Sequence, residues 1–106
     1  HLDIGTEIRI SSEIVIDHEL KEQGKVLALC RTLGADTYIN AIGGVELYDR
    51  DAFREQGVDL KFLRAKPFQY AQFGAPFVPW LSLVDVMMFN PPEQVRAAIR
   101  HDYELV

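Results

Sequence analysis

Apolar and polar residues first alternate in Glu7-Ile-Arg-Ile-Ser11, which puts Ile8 and Ile10 on one face. Alternation of this kind marks a strand, because successive side chains leave opposite faces. A short first strand is predicted there, with Ile14-Val-Ile16 extending it or forming another. The period then changes. Val26, Leu27, Cys30 and Leu33 make one stripe of a helix. That helix is expected to start between Asp17 and Gly24 and to end at Gly34, where a glycine cap belongs. Thr37–Ile42 is β-branched and aromatic, hence a second strand, and it runs into Gly43-Gly44. Asp49–Gly57 reads as a short helix with acids at its start and glycine just past its end. Val58–Leu63 alternates again and is the third strand. From Arg64 to Trp80 the chain is rich in Pro, Gly and aromatic residues, which suggests an ordered loop packed by its own rings. Leu81–Phe89 is then a short buried helix. Pro91–His101 is an amphipathic one, opened by its prolines, with Val95, Ala98 and Ile99 facing inward.

Strands alternating with helices favour a parallel sheet with crossover helices. The expected fold is therefore α/β: a small three-layer, Rossmann-like β-α-β-α-β parallel sheet followed by two carboxy-terminal helices. A sheet so small leaves an exposed edge, and that edge together with the aromatic loop suits a homodimer. No internal repeat, low-complexity tract or linker interrupts residues 1–106, so a single domain is expected.

Composition narrows the function classes. The chain has 106 residues, 48% of them apolar, enough for one core without disulfides. Its net charge of −5 argues against a nucleic-acid partner, which needs a clustered positive field. The most apolar window, Pro76–Pro92, is broken by prolines and by Asp85, so membrane insertion is not expected. With a single cysteine, Cys30, no intrachain disulfide can form, and a reduced, cytoplasmic setting follows. The opening residues show neither a basic region nor an apolar run, so no signal peptide is expected. The absence of an initial methionine suggests an excised piece. His1, His18 and His101 are scattered, with no His or Cys one helical turn away, so no metal site is expected, and no cofactor motif is present.

Three blocks together look familiar. They are Cys30-x₃-Gly-Ala-x-Thr-Tyr-Ile39 with Gly43-Gly44; Phe53-x₃-Gly57-Val-Asp-Leu60; and Phe77-x-Pro-x-Leu-Ser-x-x-Asp85 with Phe89-Asn90. In combination, over about Ser11 to Glu93, the chain resembles the WbqC-like family of bacterial proteins. Chains of that family are usually about twice as long, and their Gln-Pro-x-Tyr-x-Pro-type opening has no counterpart here. The resemblance thus implies a carboxy-terminal half. It also implies a role in surface-polysaccharide or O-antigen (lipopolysaccharide) biosynthesis, with transferase chemistry such as group transfer to an amino sugar or nucleotide sugar. The alternative is a non-catalytic ligand-binding or assembly module of a polysaccharide-biosynthesis complex. The small-molecule partner implied is a sugar or nucleotide sugar.

The candidate site residues fall in two places. Gly43 and Gly44 follow a strand and precede a helix, where a plain tight turn is the simpler explanation; the alternative is the sheet edge at which α/β proteins bind ligands. Asn40 and Tyr48 flank that edge, Asn40 offering both a donor and an acceptor. Tyr70 and Gln72 lie on the aromatic loop and could line a pocket. Asp85 stands alone among apolar residues. In Ser82-Leu-Val-Asp85 the serine would accept from the Asp85 N–H and the carboxylate would reach back to Ser82, a reciprocal helix cap. The functional alternative is a half-buried acid facing a pocket, and with Tyr70 it would carry the polar or acid–base work.

Overall fold

The computed structural model describes residues 2–106. Helix α1 (Glu22–Leu33) is followed by strand β1 (Thr37–Ala41), a 3-10 segment (Ile42–Leu47), helix α2 (Arg50–Glu55) and strand β2 (Asp59–Ala65). After an irregular stretch come helices α3 (Leu83–Phe89) and α4 (Pro92–His101), and a last short strand, β3 (Tyr103–Leu105). The strands form one sheet in the order β1-β2-β3. β1 and β2 are parallel, with Thr37 opposite Asp59 and Ala41 opposite Leu63. Phe62 and Val106 exchange both backbone hydrogen bonds, each 2.9 Å, which is the pairing of antiparallel neighbours.

Two expectations are corrected. Glu7–Ser11 does not form a strand. Alternation requires a partner ladder, and here Ile8 is exposed while Glu13 and Ile14 donate back to Ile10 and Ser11, closing a 3-10 turn at Ser11–Glu13. The sheet is therefore not an all-parallel β-α-β-α-β unit. It holds one parallel pair, and its third strand comes from the carboxy-terminal residues Tyr103–Leu105.

By backbone contacts the chain divides into two compact units. One comprises Glu7–Arg64 with Leu105–Val106, and the other Ala65–Glu104 with the residues up to Thr6.

In the first unit the core is Cys30, Phe53, Val58, Leu60 and Phe62, joined by the half-buried Val26, Leu27, Ala35, Tyr38, Tyr48 and Val106. The helical stripe reaches it through Val26, Leu27 and Cys30, while Leu33 stays exposed. Gly34 ends α1 in the left-handed region, φ 66°, with its N–H turned back to Arg31 and Cys30, the conformation for which glycine is favoured. Asp49 caps α2 by accepting from the Asp51 N–H at 2.9 Å. Phe53 is the centre of this unit. It is wholly buried, stacks on Tyr38 at 5.7 Å and meets Tyr48 edge-on at 5.9 Å.

In the second unit, α3 starts at Ser82, whose Oγ accepts from the Val84 N–H at 3.2 Å. It is closed by Asn90, whose side-chain amide donates to Val86 O at 2.8 Å. Proline at the first position of α4 costs no hydrogen bond there. Of its predicted inward face, Val95 is buried, Ala98 half-buried and Ile99 exposed.

Phe53→Ala is expected to lower the unfolding free energy by about 3–5 kcal/mol, because it removes a fully buried ring with two aromatic neighbours. Chemical denaturation of the variant against the parent measures it, and a loss below about 1 kcal/mol would contradict this packing.

Candidate functional site

The structure gathers the seven expected residues into two groups, one in each unit. Asn40, Gly43, Gly44 and Tyr48 form the first. The chain does leave the carboxyl end of β1 there, but through a 3-10 helix rather than a tight turn. Neither Gly43 nor Gly44 has a positive φ. Gly44 is instead required by close packing: a Cβ on it would sit 2.8 Å from Asn40 Nδ2 and 3.5 Å from the Tyr48 ring. A Cβ on Gly43 would meet nothing within 4 Å. Asn40 is partly committed, since its Oδ1 accepts from the Ala41 N–H at 2.8 Å.

Tyr48 lies edge-on to Tyr38 at 6.0 Å, and both rings close on Phe53. The Tyr38 hydroxyl is the most perturbed group here, its pKa pushed up to about 12, first by burial and then by the neighbouring Tyr48 hydroxyl. Burial likewise pushes the Cys30 thiol up, which leaves it a core side chain with little thiolate at neutral pH.

The second group is Tyr70, Gln72 and Asp85. Here the reciprocal cap expected of Ser82 and Asp85 is replaced by another arrangement. Ser82 caps the Val84 N–H, and the Asp85 carboxylate turns to the aromatic segment. Tyr70 donates its hydroxyl to Asp85 Oδ2, and Gln72 Nε2 donates to the same oxygen at 3.2 Å. Both donors thus converge on Oδ2 and leave Oδ1 for a further donor. Bonding to the carboxylate raises the pKa of Tyr70, with burial adding to it, so its hydroxyl stays a hydrogen-bond donor across the neutral range.

Gln72 is held on its other side by the backbone. It accepts from the Val78 N–H at 2.9 Å and donates to Val78 O at 3.2 Å. Between these contacts the chain reverses through Phe73 and Gly74, at φ 51° and 72°, with the Ala75 N–H on Gln72 O at 3.0 Å. Gln72 is therefore a clamp that positions Asp85, with both atoms of its amide engaged by the protein. The Tyr70 ring is fixed by Phe68, Phe77 and Phe89, at 5.7, 5.3 and 6.1 Å. The aromatic segment also provides Phe68, Phe77 and Trp80, which no polar or charged pattern in the sequence marks as site residues. The signal for them is the density of rings in a proline-rich stretch.

A family model described as the WbqC-like protein family matches residues 1–97 of the 106. The chain belongs to that family. No curated protein and no solved structure matches this WbqC-like chain. Among the described residues, no helix is long and apolar enough to cross a membrane. Nor does any cluster of three or more His, Cys, Asp or Glu form there that could hold a metal ion.

Two outcomes test this geometry. Gly44→Ala should cost about 1 kcal/mol, the low end for added bulk, since the nearest atom belongs to a side chain that can yield; Gly43→Ala should be near neutral by thermal denaturation. The raised Tyr38 pKa stabilises the fold fully below pH ~10, the unfolded value, and that contribution fades as pH rises towards 12. Stability should therefore fall over that window, and Tyr38→Phe should flatten the fall. An unchanged slope in Tyr38→Phe would assign the loss to other groups.

Proposed function

We propose that this WbqC-like chain acts in bacterial surface-glycan biosynthesis, in group transfer to an amino sugar or nucleotide sugar, and that Asp85 is its base. The observation that supports this most is the convergence of Tyr70 and Gln72 on one carboxylate oxygen of Asp85. Two donors fix the carboxylate's rotamer, and the other oxygen remains to accept a proton from an attacking amine or hydroxyl. Tyr70 keeps its own proton and serves as a donor beside the reacting centre. The WbqC-like membership supports the glycan setting, and on the same reading the chain is the carboxy-terminal half of a longer, cytoplasmic protein. Within the first unit, Asn40, Gly43, Gly44 and Tyr48 are a ligand-holding edge of their own, in which Gly44 shapes the space and the Asn40 amide offers its nitrogen.

A second reading is favoured by a different observation. Phe73 is 94% exposed, and Val84 and Met88, one turn apart on α3, are 66% and 79% exposed. Apolar surface of that kind suits a non-catalytic assembly module that docks on a partner enzyme.

Asp85→Asn separates the two. An asparagine oxygen can still accept from Tyr70 and Gln72, so thermal stability should change by no more than about 1 kcal/mol. With nucleotide-activated amino sugars and activated donors followed by mass spectrometry, transfer should drop by roughly 10²-fold or more. Transfer unaffected by Asp85→Asn would remove Asp85 from the chemistry. No stabilisation by any nucleotide sugar, together with a partner protein that copurifies, would favour the assembly module.

A further inference from the structure

The proline- and aromatic-rich segment of the second unit also encloses a cleft of about 290 Å³, lined by Pro67, Phe68, Gln69, Phe77, Pro79 and Trp80. Ligand pockets run from roughly 300 to 1,000 Å³, so this one holds a single ring and little more. Its lining is three aromatic rings, two prolines and one amide. A lining of apolar rings with one amide matches a ligand ring that is itself apolar on its face and polar at its rim.

The cleft is not remote from the carboxylate. Phe68 and Phe77, two of its walls, are among the rings packed against Tyr70, whose hydroxyl bonds Asp85. The two places are linked through these contacts, from the cleft walls to Tyr70 and from Tyr70 to Asp85.

Trp80 adds an independent observation. The residue is 69% exposed, and its backbone is left-handed, φ 59°. Bulky L-residues rarely adopt that conformation, and where they do the strain tends to sit at ligand-binding segments. Burial in the core does not account for it, because the residue is largely exposed.

We infer that this cleft is a ring-recognition subsite, in which Trp80 stacks on one ring, sugar or nucleobase, of a ligand whose reactive hydroxyl or amine reaches Asp85. This rests on the group-transfer reading for the reactive end of the ligand, while the ring subsite stands on the cleft itself. A pyranose offers a face of axial C–H bonds and a base offers a π face, each with a polar rim, and base–aromatic stacking is tolerant of which base is bound.

Trp80 is the only tryptophan in the chain, so its fluorescence reports on the cleft directly. The protein is titrated separately with N-acetylglucosamine, with uridine and with UDP-N-acetylglucosamine. The expected result is a saturable change in emission with the nucleotide sugar and with one of the two fragments, the responding fragment naming the ring. By calorimetry, Trp80→Ala should weaken nucleotide-sugar binding about tenfold or more, and Trp80→Phe should keep most of it. No saturable change with any of the three probes overturns the subsite, as does an affinity of Trp80→Ala equal to the parent's. Ring binding that survives in Asp85→Asn while transfer is lost supports both assignments. Ring binding lost in Trp80→Ala, with Asp85→Asn fully active, sinks only the role of Asp85.

Discussion

Phe53 is the side chain on which the first unit depends. It sits on a helix of only six residues, too short to persist alone. Burying its ring completely ties α2 to β1 through Tyr38 and to the 3-10 segment's exit through Tyr48. Its carbonyl also takes the Val58 N–H at 3.0 Å, where the chain turns into β2. One residue thus positions the crossover, the start of the second strand and the group around Asn40 and Gly44. The place of Tyr38 in that cluster leaves it a hydroxyl that resists ionisation.

The second unit is organised differently. Val95 is its only fully buried hydrophobic residue among those described. Order in the long irregular stretch comes from local pairings instead. Gln72 clamps Val78, Ser82 opens α3, Asn90 closes it, and a cluster of rings surrounds Tyr70. A segment so held keeps its polar groups near the surface, which suits ligand contact better than core formation.

Much of this was legible in the residues. Helix α1 with its Gly34 cap, the parallel pair, and the helices after Ser82 and Pro91 follow from periodicity and capping chemistry. Glu7–Ser11 was misread because alternation states a preference, and only a neighbouring ladder makes a strand. Tyr103–Leu105 is three residues long, too short to carry a period, and its pairing with β2 is a tertiary fact. The candidate site divides the same way. Tyr70, Gln72 and Asp85 were each visible as unusual residues, yet their convergence depends on a chain reversal through Phe73 and Gly74. Sequence spacing alone put Asp85 in a cap with Ser82, since nothing local reveals a competing donor 15 residues earlier.

The hydrogen bond between Asn40 and the Ala41 N–H has a consequence for solubility. Asp36 O accepts from Asp59 N at 2.8 Å, so alternate residues of β1 face β2, and the backbone groups of Thr37, Ile39 and Ala41 point the other way. Among the described residues no strand lies beyond β1 in the sheet, and Ile39 is exposed there, a combination that invites edge-to-edge association. By occupying the last N–H of that edge, the Asn40 amide shortens the template available to an incoming strand. A polar residue that looks like a binding group thus also closes part of a sheet edge.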